Sequence, residues 1–273
     1  CVHGVPIWCG GAACGNRAAC AAAKRKGKAE NMKEVFLGII IPFIGTSLGA
    51  ACVFLLAREP GERVREVLSG LSAGVMTAAS VWSLLLPSIA DSEQLGALAF
   101  MPAAVGFVLG ALFICVIGKV APMLSRRGSA GMTAFAVTLH NIPEGMAVGV
   151  AYAGFLMHGT ELSLMGAFSL ALGIAIQNFP EGAIVSMPLR ERGRLRAFLV
   201  GALSGIVEPI AAALPLLALA FVAPLMPYLL SFAAGAMMCV VVEELVPDLR
   251  SAVGTLSFTL GFVLMMALDV ALG

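Results

Sequence analysis

Two short segments of similar sequence place metal-ligand residue types inside long apolar runs. The first is His-Asn-Ile-Pro-Glu-Gly at His140–Gly145, and the second is Gln-Asn-Phe-Pro-Glu-Gly at Gln177–Gly182. Residues three and four positions apart share a face of a helix, so each segment presents its amide or imidazole groups beside its carboxylate. A charged carboxylate at the centre of a membrane helix costs about 2.5–3.5 kcal/mol on insertion scales. A bound divalent cation would offset that cost.

The candidate ligands of the two segments form matched sets. They are His140, Asn141, Glu144, Gln177, Asn178 and Glu181. Any one of these residues, taken alone, is more often a satisfied core residue than a ligand. Their recurrence at the same spacing in two neighbouring apolar runs favours a shared site.

Other residues within apolar runs extend this set. Glu208 precedes Pro209, Glu243 and Glu244 are adjacent, and Met76 supplies a thioether. Adjacent helix residues point about 100° apart, so at most one of the two neighbouring glutamates faces the site, and we favour Glu243 as a pathway residue. Imidazole, carboxylate, carboxamide and thioether ligands together suit Zn²⁺, Fe²⁺, Mn²⁺ or Cd²⁺ rather than an all-oxygen calcium cage.

Composition predicts that these residues lie in a membrane. Of the 273 residues, 60% are hydrophobic and 12% are charged, whereas a soluble domain carries about 25% charged residues. The net charge is +1, and the chain has no basic stretch interleaved with aromatic residues, which argues against a nucleic-acid partner. We therefore predict an all-α integral membrane protein whose partners are the lipid bilayer and divalent metal ions.

Eight apolar stretches are long enough to cross about 30 Å of hydrocarbon, which needs about 20 helical residues. The predicted spans are Val35–Ala57, Val67–Ala90, Leu95–Gly118, Gly128–His158, Leu162–Leu189, Leu195–Val222, Ala223–Val246 and Ser251–Leu272. Lys and Arg occur in every second connection, beginning with the one between spans 1 and 2, and are absent from the others. Because positively charged loops stay cytoplasmic, both termini are predicted to lie on the extracytoplasmic side of a cell membrane.

Spans 4 and 5 run antiparallel and would bring the two segments together near the middle of the membrane. His140 and Gln177 both lie roughly 18–22 Å deep at the helical rise per residue. Pro143 and Pro180 each remove a backbone hydrogen bond and free a carbonyl. Transporter binding sites are often built on such interrupted helices.

The remaining unusual residues are assigned no role in the site. Cys52, Cys115 and Cys239 lie in apolar runs and are predicted to be packing residues. Asp269 is close to the carboxyl end and is predicted to be solvated. Residues 1–31, which carry basic residues on the wrong side for the predicted orientation, are interpreted as a disordered or mis-called extension before a domain at 32–273.

The motifs HNIPEGMAVG and QNFPEGAIVSMPL resemble those of the ZIP (Zrt/Irt-like) metal transporter family, specifically its GufA-like branch. The resemblance covers roughly Met32 to the end of the chain. It implies a 3+2+3 arrangement, in which spans 1–3 and 6–8 are inverted repeats around spans 4 and 5. It also implies a binuclear metal site and elevator-type movement.

The same resemblance implies a role for each ligand. The first metal site would use Met76, His140, Glu144, Gln177 and Glu181. The second would use Asn141, Asn178 and Glu208, with Glu144 and Glu181 bridging the two. The chain departs from the family where some members have Asp in place of Asn178, and in a connection between spans 3 and 4 that contains no His.

The function predicted from the sequence is secondary transport of a divalent transition metal, most simply Zn²⁺, into the cytosol. The chain has no GxxxxGK phosphate loop for an ATP-driven pump, and the metal would be cargo rather than a resident cofactor. Two alternatives stay open, an intramembrane metal-dependent enzyme, although HExxH is absent, and a proton-coupled carrier of another solute. A homodimer is compatible with the sequence.

Overall fold

A computed structural model describes residues 8–9, 12–13, 17–56, 59–124, 129–157 and 162–272. The chain divides into two units, residues 1–37 and 38–273. The first contains a two-residue antiparallel pair, β1 (Trp8–Cys9) and β2 (Ala12–Ala13), and the start of the first helix. That helix begins at Arg17, so the backbone is helical over 17–31. Residues 1–7, 10–11 and 14–16 of the predicted extension lie outside the described residues.

Helices make up the described part of the second unit. The α-helices are α1 (Arg17–Leu55), α2 (Glu62–Ala79), α3 (Leu86–Ala90), α4 (Phe100–Leu124), α5 (Ser129–Met157), α6 (Leu164–Ser186), α7 (Arg194–Ser204), α8 (Val207–Leu217), α9 (Leu219–Val222), α10 (Met226–Val240) and α11 (Ala252–Leu272). Two π-helical segments are Ser80–Leu85 and Val241–Leu245. Short 3-10 segments are Glu93–Leu98, Met187–Arg192, Ala223–Leu225 and Val246–Asp248.

Seven helical stretches in the described residues are long and apolar enough to cross a membrane, which confirms an all-α integral membrane protein. They are Asn31–Leu55, Glu62–Ala90, Phe100–Lys119, Leu164–Arg192, Arg194–Leu217, Leu219–Asp248 and Ala252–Leu272. The fourth predicted span corresponds to α5, which has 29 residues but is not among the seven. The polar residues of the first motif lower the hydropathy of its described part.

The boundary between the sixth and seventh spans differs from the prediction. The sequence places it at Ala223, but the helix breaks at Ala218, whose backbone leaves the helical region at φ −109°, ψ 27°. Pro224 and Pro227 instead occupy the first turns of the segments that they enter. Proline is tolerated there because the missing amide has no helical partner. The prolines therefore begin helical segments here rather than ending one.

Glycines on facing surfaces bring pairs of helices into backbone contact. A Cβ atom on Gly49 of α1 would lie 1.9 Å from the Phe179 carbonyl oxygen of α6. A Cβ atom on Gly149 of α5 would lie 2.3 Å from the Ala212 carbonyl oxygen of α8. Close approach of this kind, through small residues, is the usual way in which membrane helices pack. Here it brings α1 against α6 and α8 against α5.

Spans 2 and 8, and spans 3 and 7, are also held in backbone contact by glycines. On α2, Gly74 lies against the Phe258 carbonyl of α11, with 2.0 Å from an added Cβ atom to that oxygen. On α4, Gly110 lies against the Phe232 carbonyl of α10, at 1.9 Å. In order along the chain, span 1 thus packs on span 5 and span 6 on span 4, while span 2 packs on span 8 and span 7 on span 3.

Candidate metal centre

The two motifs lie within α5 and α6, and both helices continue through their prolines. Pro143 and Pro180 are internal to these helices, so neither proline ends its helix. The six motif ligands are buried: Asn141, Glu144, Gln177, Asn178, His140 and Glu181 are each 9% exposed or less. The sequence therefore places imidazole, carboxamide and carboxylate groups together in the interior of the helical unit.

Six buried side-chain oxygens of this region have no hydrogen-bond partner among the described residues. They are Asn141 Oδ1, Glu144 Oε1 and Oε2, Gln177 Oε1, Glu181 Oε2 and Glu208 Oε2. The Asn178 Nδ2 group is likewise buried without a partner. A buried polar group that is not hydrogen-bonded costs several kcal/mol in an apolar medium, and a bare carboxylate costs more. The unpartnered acceptors outnumber the one unpartnered donor, and a cation would satisfy this excess of acceptors.

The carboxylates of this cluster are close enough to act on one another electrostatically. The charges of Glu144 and Glu208 both act on Glu181, and His140 acts on Glu144. Close backbone packing supports this proximity, because a Cβ atom on Gly145 would lie 2.3 Å from the Glu208 carbonyl oxygen. Glu208 therefore belongs to the same cluster as the two motifs.

Glu208 lies immediately after a break in the helix of the sixth span. Helix α7 ends at Ser204 and α8 begins at Val207, so Glu208 lies in the first turn of a new helix. Its Oε1 atom accepts hydrogen bonds from Asn141 Nδ2 at 2.9 Å and from Thr46 Oγ1 at 2.7 Å. These two donors fix one carboxylate oxygen and leave Oε2 unpartnered.

The second motif is oriented by its own amides and by α2. The Nε2 group of Gln177 donates to Asn178 Oδ1 at 2.8 Å, which leaves Gln177 Oε1 unpartnered. Ser72 of α2 donates through Oγ to the Gln177 carbonyl oxygen at 3.1 Å. Met76 is 1% exposed and lies one helical turn beyond Ser72, so its thioether is on the face of α2 that contacts α6.

The structure pairs His140 with Glu244 rather than with Glu243. The Nε2 atom of His140 lies 3.2 Å from Glu244 Oε1. Glu243 Oε1 instead accepts from Cys115 Sγ at 3.5 Å. Both glutamates lie in the π-helical segment Val241–Leu245, whose i→i+5 bonding rotates side chains relative to an α-helix. Our preference for Glu243 beside the site does not match this geometry.

Two further polar residues were not predicted from the sequence. Thr46, which donates to Glu208, lies beside Ser47 in an apolar span, and no spacing signals its role. Asp269, predicted to be solvated, is half-buried, and its Oδ1 atom accepts from Ser83 Oγ at 2.8 Å. It lines a cavity of about 250 Å³ with Trp82 and Gly166. Asp269 is therefore partly buried within the helical unit rather than fully solvated.

Comparison with known proteins identifies the family. The chain is 34% identical to the zinc transporter ZIP11 of Xenopus tropicalis, over 88% of this chain and 97% of the relative. It is 35% identical to the zinc transporter GufA of Myxococcus xanthus, over 84% and 94% of the two chains. The chain belongs to the ZIP family. No family model matches it.

A third ZIP relative extends this result. The zinc transporter ZIPB of Bordetella bronchiseptica is 34% identical, over 87% of this chain and 81% of the relative. The resemblance to the ZIP family seen in the two motifs is thus confirmed, and it includes the GufA-like branch. In this ZIP chain, the motifs are the source of five of the six unpartnered buried oxygens described above.

Proposed function

We propose that this protein is a secondary transporter that moves divalent transition-metal ions, with Zn²⁺ as the leading cargo, into the cytosol. The six unpartnered oxygens on α5, α6 and α8 are the observation that carries the proposal, since a passing cation would satisfy them. Zinc transport is the function named for ZIP11 and GufA. These relatives are named as transporters and not as enzymes, which disfavours an intramembrane metalloenzyme. Fe²⁺, Mn²⁺ and Cd²⁺ suit the same donor types.

Two metal positions share the carboxylate cluster in this proposal. Met76, His140, Glu144, Gln177 and Glu181 would bind the first ion. The second ion would be bound by Asn141, Asn178 and Glu208, with Glu144 and Glu181 bridging. The free second oxygen of Glu208 supports this division. So does the free lone pair that Asn178 Oδ1 keeps after accepting from Gln177.

The cargo would pass from the cavity at Asp269 to the pair formed by His140 and Glu244. Asp269 lies near the end of span 8, and its cavity lies between helix ends that the predicted topology places outside. Glu244 lies near the opposite end of span 7, is partly exposed, and contacts the first motif. Carboxylates at both ends attract cations toward the central ligands.

Alternating access would arise from movement of spans 4 and 5 with their partners, in an elevator-like manner. The helix pairs support a 3+2+3 inverted repeat of eight spans, in which spans 1–3 correspond to spans 6–8. Spans 1 and 6 each pack on a motif helix, and the contact of span 2 with span 8 corresponds to the contact of span 7 with span 3. The π-helical segments also recur in spans 2 and 7, each followed closely by a proline, Pro87 and Pro247. The loop charges support extracytoplasmic termini in a cell membrane.

Proteoliposomes containing a zinc indicator test the proposal. We expect Zn²⁺ uptake by the wild type and at least about a hundredfold slower uptake by the Glu144→Ala, Glu181→Ala double variant, which removes both bridging carboxylates. Glu93→Ala, which removes an exposed carboxylate from the connection after α3, is the matched control and should transport normally. Equal uptake by the wild type and the double variant would contradict the proposal.

A further inference from the structure

A second group of metal-binding side chains lies outside the carboxylate cluster. Cys115 of α4, Cys239 of α10 and Glu243 of the π-helical segment offer ligand atoms that all lie within 4.8 Å of one another. The two sulfur atoms are 3.2 Å apart, and Cys115 Sγ is 3.5 Å from Glu243 Oε1. We propose that these three residues form a separate binding site for a thiophilic cation such as Zn²⁺, Cd²⁺ or Cu⁺.

Helix packing fixes the position of the two thiols. Helices α4 and α10 are held in backbone contact by Gly110 against Phe232 and by Gly235 against Phe107. This contact leaves little freedom for the next turns of either helix. Cys115 and Cys239 therefore face each other across the interface, and Glu243 follows Cys239 by about one turn on the same helix. No movement of the backbone is needed to assemble the three ligands.

The distances between the ligand atoms match those around a tetrahedral metal ion. With metal–sulfur bonds of about 2.3 Å and metal–oxygen bonds of about 2.1 Å, two sulfurs lie about 3.8 Å apart and a sulfur and an oxygen about 3.6 Å apart. The observed sulfur–oxygen distance of 3.5 Å fits directly. The observed sulfur–sulfur distance of 3.2 Å requires a small rotation of one side chain.

The ligands of this thiol group differ chemically from those of the proposed transport site, by which we mean the carboxylate cluster on α5, α6 and α8. Two thiolates and a carboxylate give a soft, anionic set, and soft thiolate ligands favour Zn²⁺ and Cu⁺ over Mg²⁺ or Mn²⁺. Three protein ligands leave a fourth position open for water or an incoming ligand. Cys239 is 9% exposed and Glu243 is exposed, so an ion would reach the site through the glutamate. The packing role predicted for the two cysteines is therefore incomplete.

The cluster borders the transport site through two consecutive glutamates. Glu244 contacts His140 of the first motif, whereas Glu243 contacts Cys115. The segment Val241–Leu245 thus holds one carboxylate toward each set of ligands. An ion bound to the thiols would lie beside the His140 end of the transport site without sharing a ligand with it.

Cadmium protection of Cys115 against alkylation tests the proposal. The full-length reduced protein in detergent micelles is treated with N-ethylmaleimide at increasing Cd²⁺, and the modification of each cysteine is quantified by peptide mass spectrometry. We expect Cd²⁺ to protect Cys115, the more exposed thiol of the pair, and to leave Cys52 of α1 reactive in the same sample. Failure of Cd²⁺ to slow Cys115 alkylation, or equal protection of Cys52, would overturn the proposal.

Two adjacent glutamates provide a matched pair of variants. Half-protection of Cys115 should need at least about tenfold more Cd²⁺ in Glu243→Gln and in Cys239→Ser, while Glu244→Gln should behave as the wild type. An unchanged Cys52 rate shows that each variant keeps its fold. Protection should persist in the Glu144→Ala, Glu181→Ala double variant, which makes this test independent of the transport proposal. Loss of protection there, or an equal effect of Glu243→Gln and Glu244→Gln, would overturn a separate site.

Discussion

At the scale of single residues, the carboxylate cluster depends on donors that hold one oxygen of Glu208 and free the other. Thr46 and Asn141 both donate to Glu208 Oε1, and Oε2 has no partner in the described residues. Hydrogen bonds from such supporting groups orient metal ligands, and their loss typically costs 10–100-fold in metal affinity. Thr46 is thus a positioning residue for the proposed second metal.

Replacement of the Thr46 hydroxyl should weaken metal binding without removing a ligand. We expect Thr46→Val to raise the KM for Zn²⁺ uptake about tenfold, because Glu208 Oε1 loses its shorter hydrogen bond. Thr46→Ser keeps the donor and should restore the wild-type KM. Thr77→Val, which removes a threonine hydroxyl that donates to the Ala73 carbonyl oxygen within its own helix, is the control for a general loss of hydroxyl groups. A KM that is unchanged in Thr46→Val would contradict a positioning role.

The sequence predicts which residues are metal ligands better than it predicts which residues hold those ligands in position. The two motifs are recognisable because their polar residues are costly in apolar runs and recur at one spacing. Thr46 gives no such signal, since a hydroxyl costs little in a membrane helix and can bond to its own backbone. The choice between Glu243 and Glu244 depends on π-helical geometry, which local composition does not encode. Asp269 is drawn inward by Ser83, a contact between residues 186 positions apart.

At the scale of helices, close backbone contacts determine which ligands meet. Helices α5 and α8 carry Asn141 and Glu208, and Gly145 and Gly149 of α5 bring α8 close enough for those side chains to bond. The spans themselves are largely predictable from hydropathy, as seven of the eight show. Their pairing is not, because Gly-rich faces occur on several helices and do not specify a partner.

A methyl group at this contact should separate the two helices. Gly149→Ala would place its Cβ atom 2.3 Å from the Ala212 carbonyl oxygen, and overpacking of this kind costs about 1–3 kcal/mol. We expect a lower midpoint of thermal unfolding in detergent and weaker Zn²⁺ binding. Gly118→Ala is the matched control, since its Cβ atom meets nothing within 4 Å. Equal unfolding midpoints for the two variants would contradict tight packing of α5 on α8.

At the scale of the whole molecule, the buried oxygens couple metal binding to the stability of the helical unit. These groups raise the free energy of the folded state unless a cation satisfies them. A ligand that binds only the folded protein stabilises it by about 2.7 kcal/mol at a concentration of one hundred times its Kd. The stability of the protein should therefore report directly on the site.

Zinc should raise the unfolding temperature of the wild type, because bound metal removes the cost of the unpartnered oxygens. The increase should grow with the logarithm of the Zn²⁺ concentration. The Glu144→Ala, Glu181→Ala variant should be more stable than the wild type without metal. Measured in a Cys239→Ser background, which removes the separate thiol site, it should gain little from Zn²⁺. Mg²⁺, which dehydrates reluctantly, is the control ion and should give no comparable shift. A zinc-induced increase of equal size in the double variant would place the stabilising ion elsewhere.

The orientation of the molecule in the membrane decides the direction of transport. From the loop charges, we predict that the connection after α3 lies outside and that the connection after α6 lies in the cytosol. Glu93 and Glu191 are exposed in these two connections. In intact cells, we expect a membrane-impermeant maleimide to label Glu93→Cys above the wild-type background, and to label Glu191→Cys only after permeabilisation. Both variants remove a carboxylate from an exposed loop and so serve as controls for each other. The reverse labelling pattern would invert the topology, and with it the proposed path from Asp269 toward Glu244.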